Sequence, residues 1–276
     1  MAAVDEQKNI AAFQQEVLQY YRAEGRKFPW RDTTDPYSIL VSEIMLQQTQ
    51  AERVIRRYPE FIAVYPDFHR LAAAPLSEIL VLWQGLGYNR RAKGLKRIAE
   101  IVAAEHEGAL PDTVPELIKL PGIGHATASS ICAYAFNKPV VYIETNIRRV
   151  FIHRFFPGEG KVSDKDILPL VEASLYRKNP REWYNALMDY GVKIKKDFPD
   201  PNRRSSHYSR QSAFQGSNRQ IRGRILRVLA LRKEIEEREL SEAVAFPAER
   251  VEYCLARLKE EGFLCAENGY IRFNDF

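Results

Sequence analysis

The stretch "SEIMLQQTQ" places one carboxylate, Glu43, in an otherwise apolar run. Its spacing predicts a helix over Tyr37–Gln48, entered at Pro36 with Asp35 as N-cap. A charge on an apolar helix face is costly. Burial raises the pKa of a carboxyl group, which suits it to hand over a proton. Gln47 and Gln48 follow one turn later. A second stretch, "LPGIGHATASSI", sets Gly122 and Gly124 around Ile123 just ahead of a helical run. Glycines permit a tight turn and close backbone approach. The unpaired N–H groups that open the following helix, with the positive dipole end behind them, suit a phosphate oxygen. Ile123 anchors such a turn by packing inward. The bland alternative is a plain helix–turn–helix connection.

These groups need a frame to hold them, and apolar residues recur at helical spacing almost throughout. No strand is predicted before about residue 260. The polar stretch "PDPNRRSSHYSRQSAFQGSN" reads as a linker or loop. Beyond it, "RQIRGRILRVLALRK", "ELSEAVAF" and "PAERVEYCLARLKEEGFL" read as three helices. "FLCAENGYIRF" reads as two strands turning at Asn268-Gly269. This order resembles a winged-helix domain, a fold that binds DNA in some proteins and protein in others.

The chain has 276 residues, 45% of them hydrophobic and 28% charged, the balance of a globular protein with about two or three compact units. No apolar run spans a bilayer, and the N-terminal "MAAVDEQKNI" has no signal-peptide core, so neither a membrane nor secretion is expected. Three widely spaced cysteines, Cys132, Cys254 and Cys265, form neither a disulfide framework nor a zinc pattern. Cys132 reads as a small core residue. Between Lys193 and Arg232 there are eleven basic residues and two acidic ones, against a net charge of +5 for the whole chain. That concentration points either to a polyanion such as nucleic acid or to a solvated basic linker.

Five motifs then fit one family. "RKFPWR", "SEIMLQQTQ", "LWQGLGYNRRAKGL", "LPGIGHATA" and "ETNIRRV" resemble, in order and spacing, the helix-hairpin-helix DNA glycosylases, most nearly the MutY-type adenine glycosylases. The resemblance runs from Phe13 to Lys196. It implies a mostly α, two-lobed fold, to which the winged-helix-like α+β unit read above is added at the C-terminal end. The expected divisions are 1–30 with 140–198 as a lobe bearing a second catalytic carboxylate, 31–139 as a six-helix lobe with the hairpin, 199–218 as a basic linker, and 219–276 as the winged-helix-like unit.

The resemblance casts Glu43 as the general acid that protonates a flipped-out base. Where the family has an aspartate that stabilises the sugar cation, this chain has Glu144, one methylene longer. Three readings stay open: a shifted backbone with the same role, a different substrate, or weak catalysis. Asn146 matches the family's asparagine. Gln47 and Gln48 are expected at the DNA interface, as are Tyr88, Arg90 and Arg91, with Lys93 beside them. Gly122, Ile123, Gly124, His125 and Thr127 form the expected phosphate-binding hairpin. Bifunctional relatives carry a lysine where Ala126 stands, so a monofunctional glycosylase is implied. Ala126 also lacks the hydroxyl often found there in MutY-like enzymes. The family's four-cysteine site falls on "KIKKDFPDPNRRSSHYSRQ", which has no cysteine. No cofactor and no [4Fe-4S] cluster are therefore expected; a monovalent or divalent cation at the hairpin is the one ion left open. Arg203 and Arg204 would supply phosphate contacts in that segment. The implied partner is double-stranded DNA with a lesion or mismatch, in the cytoplasm (nucleoid-associated) or nucleus. Adenine is the expected base, with a mismatched or deaminated pyrimidine, or non-catalytic lesion binding, as alternatives. Residues 219–276 are too short for the family's 8-oxoguanine-reading domain, and their partner, DNA or protein, stays open.

Overall fold

Fourteen α-helices and three short strands make up the computed structural model, which describes residues 2–209 and 213–275. In chain order the helices begin with α1 (Ala2–Glu24), α2 (Pro36–Leu46), α3 (Ala51–Val64), α4 (Phe68–Ala73), α5 (Leu76–Leu82), α6 (Arg90–Glu105) and α7 (Val114–Leu117). They continue with α8 (His125–Phe136), α9 (Thr145–Phe155), α10 (Asp164–Ala173), α11 (Pro180–Asp197) and α12 (Asn218–Arg232). The chain ends in β1 (Glu234–Glu236), α13 (Glu237–Val244), α14 (Ala248–Glu260), β2 (Leu264–Glu267) and β3 (Tyr270–Phe273). Among the described residues no helix is long and apolar enough to cross a membrane.

Two compact units divide the chain. The first comprises Met1–Glu43, Pro111–Lys119 and Ile123–Arg210. Its core is aromatic. Phe13 of α1 meets Phe151 of α9 and Trp183 of α11 edge to face, with centroids 5.5 and 5.8 Å away. All three are fully buried, and such pairs add to the area term. Helices α9 and α11 approach closely at Gly191. A Cβ there would stand 2.7 Å from Asn146 Cβ and 2.8 Å from its backbone oxygen. Within 199–218, Pro201–Arg204 form a 3-10 turn, and Ser205 bridges Val162 in parallel.

The second unit comprises Ile44–Leu110, Leu120–Gly122 and Gln211–Phe276. Phe61, Leu71, Ile79, Leu95 and Ile98 on α3–α6, with Trp83 at the end of α5, are its fully buried centre. The C-terminal elements add Ile221, Ile225, Leu229, Leu258, Phe263 and Ile271, also fully buried. Its sheet runs β1-β3-β2, antiparallel throughout. Asn268 (φ 52°) and Gly269 (φ 82°) both take the left-handed conformation that a two-residue hairpin turn demands. β1 is the strand that sequence did not foretell; it has three residues, only Ile235 of them buried, too few to show alternation. α12 lies against α5. The Glu261 carboxylate accepts paired bonds from Arg90 of α6 and Arg222 of α12.

Helix α2 starts as expected, with Asp35 accepting from Ser38 N at 2.8 Å. It ends at Leu46, two residues earlier than the periodicity suggests. The carbonyls of Ile44 and Met45 turn to the Arg91 guanidinium, each 2.8 Å from Nη1. Nη2 also donates to Thr49 Oγ1, Leu86 O and Gly87 O. Burial lowers the Arg91 pKa to about 10.

Two stability predictions follow from this packing. Gly191→Ala should cost about 1–3 kcal/mol in urea unfolding, because the clash is with backbone as well as side chain. Arg91→Ala should cost about 2 kcal/mol or more, since it orphans several partly buried acceptors. An unchanged midpoint for either variant would contradict the packing described.

Candidate active site

Three elements of the first unit converge on the Glu43 carboxyl group. α2 carries Glu43, α8 supplies Ser130, and the loop entering α9 supplies Glu144. Ser130 Oγ donates to Glu43 Oε2 at 2.5 Å. Glu43 as a residue keeps partial exposure, yet its carboxyl end lies deep among protein atoms. Burial, opposed by the Ser130 hydrogen bond and reinforced by the nearby Glu144 charge, lifts its pKa to about 7. Arg31 acts in the opposite direction. The two carboxylates singled out in the sequence are therefore close enough to repel each other. Tyr134 of α8 stands in the field of both; burial first, then Glu43, pushes its pKa well above the usual value, so it is a neutral phenol.

Arg31 is locked in place. Its guanidinium pairs with both oxygens of Asp189, at 2.8 and 2.9 Å. Arg26 adds its backbone N–H and Nε to the same carboxylate, at 2.8 and 2.7 Å. Asp189 is only 2% exposed. Burial alone would raise its pKa, but Arg31 and Arg26 outweigh burial and keep it below the ordinary value. This cation beside Glu43 was not foretold as a site residue, although Arg26 and Arg31 both stand in the "RKFPWR" motif. Asp189 lies in an amphipathic helix with no local signature.

Glu144 is the N-cap of α9. Its Oε1 accepts from Asn146 N at 2.5 Å and Ile147 N at 2.9 Å. The extra methylene is absorbed by folding the side chain back onto its own helix, a capping role that Ser, Thr, Asp and Asn more often fill. Burial raises its pKa, and the two N–H groups oppose the rise. Asn146 is held from behind: its Oδ1 accepts from Arg149 Nη1 at 2.6 Å. Arg149, 4% exposed, pairs onward with Asp200 at 2.9 Å. Asn202 Nδ2 donates to Thr145 O at 2.9 Å. Arg149, Asp200 and Asn202 thus set the first turn of α9, and nothing local in the sequence announces them.

The hairpin has the backbone expected of it. Gly122 takes φ +78° and Ile123 is 5% exposed. Gly124 is the N-cap of α8 and brings no side chain to cap it. Neither glycine position has an atom within 4 Å of where a Cβ would sit. His125 is exposed and Thr127 half-buried in the first turn of α8. Gln47 and Gln48 lie in the turn after α2, not on it, because Arg91 has taken the helix-end carbonyls. Gln47 Nε2 makes a long 3.5 Å contact with Gly122 O. Gln48 is exposed, with φ +54°.

Most of the basic residues expected at DNA are hydrogen-bonded within the protein. Arg91, expected on phosphate, has both terminal nitrogens committed to protein acceptors. Arg90 is paired to Glu261 at 2.8 and 2.5 Å, and Lys93 Nζ donates to the backbone oxygens of Glu261 and Gly262. Hydrogen bonding from Arg90 first, and from Arg222, brings the Glu261 pKa down to about 2 despite burial. Tyr88 (φ +48°) accepts from Arg219 Nη1 at 2.5 Å. Arg204 donates to Gly160 O at 3.0 Å and Phe156 O at 2.6 Å; Arg203 is exposed.

A thiolate-held cluster does not fit the residues present. Cys132 and Cys254 are buried in α8 and α14, and Cys265 is on β2. None lies in the segment after α11, where Asp200 and Asn202 instead bind α9. Among the described residues no group of three or more His, Cys, Asp or Glu side chains is placed to hold a metal ion.

Residues 41–169 match the model of the HhH-GPD superfamily base excision DNA repair proteins. The adenine DNA glycosylase of Buchnera aphidicola subsp. Baizongia pistaciae (strain Bp) is 38% identical over 184 residues, covering 66% of this chain and 52% of that protein. The chain thus spans about half the length of that relative. The adenine DNA glycosylase of Mycobacterium tuberculosis (strain CDC 1551 / Oshkosh) is 30% identical over 270 residues, 88% of this chain and 83% of that protein. Among solved structures, a thermostable thymine-DNA glycosylase superposes with a TM-score of 0.63 at 29% identity, covering 71% of this chain and 92% of the other. With the carboxylate pair, the glycine hairpin and these relatives together, the chain belongs to the HhH-GPD superfamily of base excision DNA repair proteins.

Proposed function

We propose that this protein is a monofunctional DNA glycosylase that hydrolyses the N-glycosidic bond of a flipped-out base, adenine above all. The observation that carries the reading is Glu43, a carboxyl group with a pKa near 7 next to a second carboxylate. Protonated, Glu43 can donate to a ring nitrogen of the extruded base. A protonated base is a better leaving group, and the C1′–N electron pair departs with it. The Glu144 charge opposes the positive charge that develops on the sugar. Water then completes the hydrolysis. Ala126 offers no amine to attack the sugar, so an intact abasic site is the product. DNA is the partner, gripped in part by the hairpin backbone at Gly122–Gly124. No step runs through a cluster.

A second reading, excision of a mismatched thymine or uracil, draws on the structural likeness to a thymine-DNA glycosylase and on Glu144 in place of aspartate. A panel of labelled duplexes separates the two. Strand breaks after alkali, and none before it, are expected on adenine-mispaired duplexes. Breaks only on thymine- or uracil-mispaired duplexes would transfer the assignment, and binding without breaks on any duplex would end it.

Three further outcomes are expected. Glu43→Gln should slow single-turnover excision by about 10²-fold or more. For the wild type, the rate should be level at low pH and fall as pH rises through about 7, where the acid is lost. The stability sign agrees: a carboxyl with a raised folded-state pKa loses its contribution as pH rises from its unfolded to its folded value. Glu43→Gln should therefore raise the melting temperature more at pH 8 than at pH 5. Full-rate excision by Glu144→Gln would remove Glu144 from the mechanism.

A further inference from the structure

Ser130 is 4% exposed on the buried face of α8. Its Oγ is 2.5 Å from Glu43 Oε2 and 2.9 Å from the backbone oxygen of Thr127, one turn back. A hydroxyl has a single proton to donate. When Glu43 is ionised, both neighbours are acceptors, and Ser130 can satisfy only one at a time. When Glu43 is protonated, the conflict disappears: its O–H donates to Ser130 Oγ, and Ser130 turns its own proton to Thr127 O. Rotation about Cβ–Oγ exchanges the two arrangements without moving a heavy atom. A serine present only to fill the helix would be satisfied by the Thr127 carbonyl alone. The approach to Glu43 is an additional feature. Ser129, the adjacent residue, is a contrast within the same helix: its hydroxyl is buried with no hydrogen-bond partner among the described residues.

We propose that Ser130 is a two-position hydroxyl that keeps Glu43 oriented in both of its protonation states, and is a positioning residue for base excision. The inference rests on the reading of Glu43 as proton donor. In the first step the Glu43 proton passes to a ring nitrogen of the base, and the C1′–N electron pair leaves with the base. Ser130 then rotates its O–H from Thr127 O to Glu43 Oε2, neither gaining nor losing a proton. When water adds to the sugar cation, its released proton returns to Glu43, and Ser130 swings back. The other groups that face the Glu43 carboxyl are Arg31, Tyr134, Tyr142 and Glu144. None of these pairs a rotatable O–H on Glu43 with a backbone acceptor one turn away.

The test is a single-turnover pH–rate profile of the full chain, using a duplex with adenine opposite guanine or opposite 8-oxoguanine, whichever the wild type excises faster. Ser130→Ala should slow excision about tenfold, the scale of one hydrogen bond to a charged group. It should also move the basic limb to higher pH, because the charge-assisted bond lost from the carboxylate form is stronger than the neutral bond lost from the acid form. Ser130→Thr keeps the hydroxyl in a rotamer that can reach the same carbonyl, and should restore both rate and limb. Ser129→Ala should leave both unchanged. A Ser130→Ala enzyme with the wild-type rate and limb would overturn the proposal. So would equal slowing by Ser129→Ala and Ser130→Ala with an unmoved limb, which is the signature of packing. If Ser130→Ala melts below the assay temperature, Ser130→Cys takes its place; its weaker donor should give an intermediate limb, and a wild-type limb would overturn the idea. Glu43→Gln distinguishes the two levels. Full activity in that variant removes the parent reading, whereas its inactivity beside an unaffected Ser130→Ala removes only this one.

Discussion

A carboxyl group keeps its proton near neutrality only where its charge is unwelcome, and the first unit is organised around that condition at Glu43. Desolvation alone would serve, but it would leave the ionised form without support. The surroundings are therefore mixed. Glu144 adds repulsion, while Arg31 and Ser130 ease the ionised state. Arg31 can do so without collapsing onto Glu43 because Asp189 holds both of its terminal nitrogens. Removing any one of these groups would shift the balance between the protonated and the charged acid.

The second carboxylate shows how an unusual residue can be accommodated by local geometry. Glutamate is a poor short-range cap, yet Glu144 reaches two N–H groups of its own helix. Its position is then set by α9 itself, and α9 is set by Arg149, Asp200, Asn202 and the close approach of α11. The segment after α11 therefore has a structural duty through its polar side chains, one that involves no thiolate.

Much of this was legible in sequence, and for identifiable reasons. Helix α2 had Asp35 and Pro36 to mark its start, the hairpin had glycines where backbone must turn, and Asn268-Gly269 named its own turn type. Glu43 was readable because a charge in an apolar run stands out, whereas Glu144 came only through the resemblance of "ETNIRRV" to the family motif. What stayed hidden was long-range. Asp189 is 158 residues from Arg31, and Ser130 is 87 from Glu43; neither sits in a pattern that periodicity exposes. The partners of the basic residues were equally hidden. Arg90, Arg91, Lys93, Arg219 and Arg222 are hydrogen-bonded to Glu261, Tyr88 and backbone carbonyls, partners that no local pattern names.

The absent side chain at Gly191 carries a consequence of its own. There α11 and α9 are held apart by nothing more than the thickness of their backbones, with Asn146 against the bare Cα. Hard contact has no proton to lose and no field for salt to screen. While the neighbouring acids change state, this stretch of the scaffold remains blind to the change, a fixed reference against which their titration is played out.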